Sequence, residues 1–138
     1  MIWRTLAGVF LGFALWWFLF FAIGIGIGFV SPEYREAARL MFQQNDMSGY
    51  GTPQLLSNYL LFLIAGVIVG GTATLIDKGR AAALALTALF FLYMVINHYV
   101  VNWDQFPAWY NLIVPIVVAG SIYLGHVLIR NSGRKNSP

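Results

Sequence analysis

The feature that most constrains this chain is a set of four long apolar runs, over residues 2–30, 55–76, 81–101 and 108–129. The hydrocarbon core of a bilayer is about 30 Å thick and each helical residue rises about 1.5 Å, so a span takes about 20 predominantly apolar residues. All four runs reach that length. Backbone N–H and C=O groups in lipid must be paired within the protein, which leaves helices as the only form open to such runs. The expected fold is therefore all-α: a polytopic membrane protein with four transmembrane helices in an antiparallel bundle. A composition that is 59% hydrophobic and only 9% charged, with mean hydropathy +0.72, leaves no room for a separate soluble domain, so residues 1–138 read as one domain. Arg4 followed by an apolar run resembles the start of a signal peptide, but the run continues to Val30. A secretory apolar region is about 7–15 residues, so the expectation is an uncleaved first helix.

Charge sets the orientation. Arg4, Lys78, Arg80, Arg130, Arg134 and Lys135 flank the spans on one side, against Arg35 and Arg39 on the other. Cytoplasmic flanks retain Lys and Arg, so the first side is read as cytoplasmic, with both termini inside. The links at residues 77–80 and 102–107 are short, which makes the last three spans antiparallel neighbours. Residues 31–54 form the long outer loop. There Ser31 suits a helix cap and Pro32 a first helical position, and Tyr34, Ala37, Ala38, Met41 and Phe42 fall on one face. That pattern predicts a short amphipathic helix on the outer surface or over the bundle mouth, then a flexible stretch from residue 45 to 52.

The polar residues inside the spans are few. Asn58, Asn97, His98 and Asn111 share one depth, about one turn in from the outer ends of their helices. Each costs free energy if it faces lipid, so all four are expected to point inward. The plainer reading is interhelical hydrogen bonding that fixes register, worth about 0.6 kcal/mol per contact. The functional reading is a ligand or ion pocket that opens outward. Pro115 withholds a donor from the carbonyl of Asn111, so backbone groups freed there need side chains or water.

Trp16 and Trp17 lie mid-span, away from the interfaces tryptophan prefers; one is expected in the bundle and the other toward lipid. Gly8 with Gly12, Gly24 with Gly28, and Gly66 with Gly70 repeat at four-residue spacing and read as helix-packing sites, with a homodimer face on the first helix as the functional version. His98 and His126 lie at opposite ends of their helices, roughly 20 Å or more apart at about 1.5 Å per residue, so one metal or haem cannot take both. His126 is expected at the inner boundary beside Arg130 and Asp77 as a weak interfacial pairing.

What the chain lacks narrows the function. With no cysteine, thiolate catalysis, zinc–thiolate sites and iron–sulfur clusters are excluded. No Asp, Glu, Lys or Arg lies well inside a span, which disfavours proton-coupled antiport, and no nucleophile with a base can be assembled. The basic residues form no stripe of the kind nucleic acid needs.

From Gly66 onward the order of features resembles a loose group of small four-helix bacterial membrane proteins. The residues that carry it are Gly70 and Gly71, then Lys78 and Arg80, then Pro107, Ala108, Trp109 and Tyr110. The resemblance covers about half of the chain; it implies a bacterial inner membrane protein and brings no activity or site with it. The sequence reading is thus a non-catalytic structural or accessory component of the inner membrane, without cofactor or metal. Its partners would be the lipid bilayer and either further copies of the chain or another membrane protein. The alternatives are a small-solute or ion permeation protein using the polar layer, and a binder of lipid or another hydrophobic molecule.

Overall fold

The computed structural model describes residues 2–135, and side chains as far as residue 133. The side chains of Arg134 and Lys135 and the terminal residues, used above to orient the chain, lie outside that description. The described residues form no strand. Helix α1 spans Ile2–Val30, α2 Pro32–Gln44, α3 Thr52–Asp77, α4 Ala81–Val95 and α5 Ala108–Lys135. Between α4 and α5 the chain widens into a π-helical turn over Ile96–Val101 and then a 3-10 turn over Trp103–Gln105. Four helical stretches, Ile2–Val30, Thr52–Asp77, Ala81–Val101 and Ala108–Gly133, are long and apolar enough to cross a membrane.

Local chemistry accounts for the helix boundaries. The Ser31 hydroxyl accepts a hydrogen bond from the Tyr34 amide at 3.2 Å and so starts α2, with Pro32 in the first turn where its missing N–H costs nothing. α2 ends at Asn45, whose left-handed backbone (φ 52°) lets the Asn45 and Asp46 amides reach back to the carbonyls of Met41 and Leu40. Helix α3 starts three residues earlier than its apolar run, because Pro53 suits a first turn and the Gly51 carbonyl already accepts from Leu55 N at 3.0 Å. Only residues 45–51 therefore remain outside helices in this link, and Gly49 lies close against Ala37 of α2. Helix α5 likewise outruns its apolar span, reaching Lys135.

α3 is the axis of the molecule and packs most extensively against α5, then against α1. Its buried positions Leu61, Ala65, Val69 and Ala73 recur at four-residue spacing and meet Trp16 of α1, Leu86 and Phe90 of α4, and Val114, Val118 and Ile122 of α5. In a bilayer such contacts gain no hydrophobic drive, so close packing must hold the helices together. Glycine makes that possible. A Cβ at Gly66 would overlap Ser121 and one at Gly70 the Ile122 carbonyl, while one at Gly125 would overlap the Val67 carbonyl. Gly8 and Gly12 seat α1 between α3 and α4, against Ala73, Ala82 and Leu86. This pair is thus spent within the chain, and the homodimer face considered for α1 is occupied there by its own neighbours. Gly24 and Gly28 make no such close approach, since a Cβ there would find only ordinary contacts with Leu61 and Tyr34, or with Arg35. The outward face of α1 is apolar, with Phe10, Phe18, Ile25 and Phe29 exposed.

The elements gather at two ends. At the α2 end lie α2, residues 45–51, the π turn and the start of α5. At the turn end, residues 78–80 stand beside the first turn of α1, where the Thr5 hydroxyl donates to Asp77 Oδ1 at 2.6 Å. Asp77 Oδ2 also accepts from the Ala82 amide, so this carboxylate caps α4.

Candidate functional site, a cavity at the α2 end

The polar residues of the spans do collect near the α2 end, each with its own hydrogen-bond partners. Asn111, fully buried, donates from Nδ2 to the carbonyls of Trp103 (2.9 Å) and Phe106 (3.2 Å). Those two bonds fix the amide's orientation and leave Oδ1 as the acceptor, which stands 2.9 Å from His98 Nδ1. His98 Nδ1 therefore carries the proton, and Nε2 is the ring's acceptor. Asn111 is a positioning residue: it holds the link between α4 and α5 and aims the imidazole. Phe106 and Tyr110 bracket that ring, with centroids 5.7 and 5.6 Å away.

Asn97 and His98 sit on the π turn. The Asn102 amide bonds the Asn97 carbonyl at 2.9 Å across five residues, and Asn102 Nδ2 donates to Asn97 Oδ1 at 2.9 Å. A π turn of this kind inserts extra backbone into a helix and often occurs at functional sites. Asn58 has a different partner again. Its Oδ1 accepts from the Tyr34 hydroxyl at 2.7 Å, so α2 is pinned onto α3 by a buried bond. Burial raises the Tyr34 phenol to about 12.

Together these groups wall a cavity of about 600 Å³. Asn58, Asn97, His98 and Asn102 give it a polar side, whereas Trp16, Phe20 and Phe62 give an aromatic one. Asn111 does not line it but stands behind His98. Met41, Phe42 and Asn45 of α2 and its cap, with Met47 and Tyr50 of the link, close over it. A smaller groove of about 280 Å³ runs between α1 and α2 along Phe21, Gly24, Ile25 and Phe29, with Arg35 and Arg39 at its edge. Cavity and groove share Phe20, Met41, Phe42 and Tyr50, so one wall of side chains separates the inside of the bundle from the flank of α1.

Trp16 is fully buried and stacks against Phe62, whereas Trp17 is half-buried among Phe13, Phe20 and Tyr93. Beyond Trp16 toward the turn end the core is Ala65, Val69, Leu86, Val118 and Ile122, all without exposure. Ser121 sits among them, but its hydroxyl is bound to the Val118 and Phe62 carbonyls at 2.8 and 3.2 Å. The cavity is therefore blind toward the turn end.

On either side of the Asn111 carbonyl, from which Pro115 withholds a donor, Tyr59 donates to the Tyr110 carbonyl at 3.3 Å and Tyr99 to that of Leu112 at 3.2 Å. His126 stands at the turn end beside Arg130 but departs from its expected pairing: it is buried, and its Nδ1 stands 2.9 Å from the Thr74 hydroxyl, whose own proton goes to the Gly70 carbonyl at 2.7 Å. Asp77 is bound to Thr5 and α4 instead, because an anion is better held by a helix start than by an imidazole committed elsewhere. Among the described residues no group of three or more His, Asp or Glu could hold a metal ion.

Sequence reasoning does not assign Tyr34, Asn102 or the aromatic cluster of Tyr50, Phe106 and Tyr110 to the site, although it sets Tyr34 on the inner face of its helix. The alternation of Tyr34 with Ala37 and Met41 was the signal for the first; nothing in the sequence marks the π turn. The chain matches no protein-family model, no curated protein and no solved structure.

Proposed function

We propose that this is a non-catalytic integral membrane protein that binds a hydrophobic or amphiphilic molecule of lipid-like chemistry in the cavity at the α2 end. The observation that carries the reading is a blind cavity with amide and imidazole groups on one side and stacked aromatics on the other, walled off from the lipid flank by only a few side chains. Such a site offers hydrogen bonds to a polar group and an aromatic wall to a chain. His98 Nε2 would accept from a ligand hydroxyl, and the amides of Asn97 and Asn102 would bond a carbonyl or ester. The groove under α2 gives lateral access from the membrane.

In topology we read an antiparallel four-span bundle in the bacterial inner membrane, with both termini cytoplasmic. The placement of Arg4, Lys78, Arg80 and Arg130 at the turn end supports that orientation. α2 is then the amphipathic helix on the outer surface, its Tyr34 and Ala37 turned to the bundle and Glu33, Glu36 and Arg39 to water. A structural or accessory role is compatible with such binding, and no cofactor is needed for it.

The rival is permeation of a small solute or ion through the same polar groups. The apolar plug below Trp16 weighs against a path through one chain. Native mass spectrometry from mild detergent tests the proposal. One retained hydrophobic molecule per chain is expected, and Ala38→Trp, which fills the groove, should reduce retention several-fold. An empty wild-type protein that passes solutes across vesicles, with flux lost on Asn97→Ala and His98→Ala, would replace this reading with the rival.

A further inference from the structure

A second cavity, of about 530 Å³, lies at the turn end between α3 and α5, and nothing in the reading above uses it. Thr74 and Leu75 of α3, the turn residues Lys78 and Arg80, and His126, Ile129 and Arg130 of α5 line it. We propose that it is a site for a phosphate group, brought there by the head of an anionic phospholipid or as free phosphate.

Three observations carry the assignment. The first is convergence: two separate segments, the turn and the last turns of α5, bring their cations to one cavity wall. Positive charge that merely sets topology needs to flank the spans and has no reason to share a hollow. The second is the lack of a local counter-charge. Glu33, Glu36, Asp46 and Asp104 all belong to the α2 end, which leaves Asp77 as the acidic residue at the turn end. Its oxygens are taken by the Thr5 hydroxyl and the start of α4. Among the described residues the one ion pair is Arg39 with Glu36, far from this cavity, so Lys78, Arg80 and Arg130 stand without a carboxylate partner. The third is the shape of the chemistry. Leu75, half of whose surface or more is exposed on the flank of the bundle, and Ile129 supply an apolar side next to the cations. A phosphodiester on a glycerol ester has that same sequence of groups, anion then chain. Basic hollows between membrane helices on the cytoplasmic side are generally suited to anionic lipid heads, and Arg offers phosphate a bidentate fork. His126 closes the cavity's inner wall, its ring held by Thr74.

The test uses the full chain in detergent micelles with phosphatidylglycerol, phosphatidylcholine or inorganic phosphate, read by native mass spectrometry and calorimetry. Each cation near a phosphate is worth about 1 kcal/mol, so the triple variant Lys78→Gln, Arg80→Gln, Arg130→Gln should bind phosphatidylglycerol about a hundred-fold more weakly. Arg130→Gln alone should lose roughly five-fold; all three side chains are exposed, and this single change carries the test should the triple variant misfold. Arg35→Gln with Arg39→Gln, at the opposite end, should bind like wild type. Phosphatidylglycerol retained over phosphatidylcholine identifies a lipid head as the source, whereas inorganic phosphate bound alone and lost in the same variants identifies the free anion. Equal retention of phosphatidylglycerol by wild type and Arg130→Gln, with no binding of inorganic phosphate, would overturn the proposal. The variants separate the two sites: a molecule in the α2-end cavity is lost on Ala38→Trp and kept in Arg130→Gln, and one at the turn end shows the reverse.

Discussion

Where α3 meets α5 near the turn end, glycine lets the two backbones touch; nearer the α2 end the same helices are kept apart by the rings of Tyr59 and Tyr110, 5.0 Å between centroids. The first half spends its sequence on contact. Its small residues close the middle of the bundle, so that the hollow of that end opens only at the rim, beside the turn and the last turns of α5, and its polar groups Thr74 and Ser121 return their hydroxyls to backbone carbonyls. The second half spends its sequence on larger side chains, and Asn58, Phe62 and Tyr110 of these two helices wall the cavity together with α1, α2 and the wide turn. Charge follows the same division, with Arg4, Lys78, Arg80 and Arg130 at the turn end and four of the five acidic residues at the α2 end. Backbone contact and an interior cavity are thus assigned to different ends of one helix pair.

That contrast is open to attack by substitution. The largest effect is expected from Gly70→Leu, which drives a side chain into the Ile122 carbonyl. It should destabilise by about 3 kcal/mol or more, read as a lowered unfolding midpoint. Gly26→Leu on α1, where a Cβ meets nothing within 4 Å, should change stability by less than about 0.5 kcal/mol. Equal losses at the two sites would end the distinction between a tight and an open half.

Next comes Asn111→Ala, which leaves the His98 Nδ1 proton and the carbonyls of Trp103 and Phe106 without their partner. Stranding buried groups costs about 2 kcal/mol, and ligand retention should fall with it because the imidazole loses its aim. A smaller cost, about 1 kcal/mol, is expected for Tyr34→Phe, which removes only the bond to Asn58. The wild-type phenol also gives a pH signature. Burial raises Tyr34 to about 12, above its ordinary value near 10, so between those values the unfolded chain is ionised while the folded one keeps its proton. The unfolded state then binds fewer protons, and stability falls as pH rises from about 10 to about 12. Burial shifts Tyr50 in the same direction. Denaturation followed over that range should show a shallower decline in Tyr34→Phe than in wild type.

The smallest effect belongs to Arg39→Gln. The Arg39 guanidinium holds the Glu36 carboxyl below its usual range, but both side chains are exposed, and exposed pairs contribute little. The Glu36 titration, followed by NMR, should move up toward its ordinary value while the melting temperature stays where it was.

Much of this architecture was legible in the sequence because lipid imposes a strong rule on length and polarity. The four apolar helices and the Ser31 cap follow from spacing and from the cost of a polar group in hydrocarbon. Depth was legible too: Asn58, Asn97, His98 and Asn111 do lie near one end. Partners were not. Depth along a helix fixes no azimuth, so the sequence could not tell that Asn58 reaches Tyr34 on another element while Asn111 turns back to the link before α5. Glycine pairs on α1 and α3 mark packing sites, and Ser121 with Gly125 completes the contact from α5 at the same four-residue spacing, a signal that a search for glycine alone passes over. His126 was mispaired because its depth was near that of Asp77, whereas its hydroxyl partner Thr74 lies one turn deeper.

One further consequence belongs to the wide turn at Ile96–Val101. A helix in that register holds about one residue more than an α-helix covering the same rise, and a single residue is worth about 100° of rotation. Deleting Val100 would let the ordinary register return over the same rise; both flanks would keep their phase, while the residues inside the turn, His98 among them, would shift around the axis by a part of that angle. The direction in which the imidazole looks is therefore a matter of counting: one surplus residue acts as the setscrew for the turn.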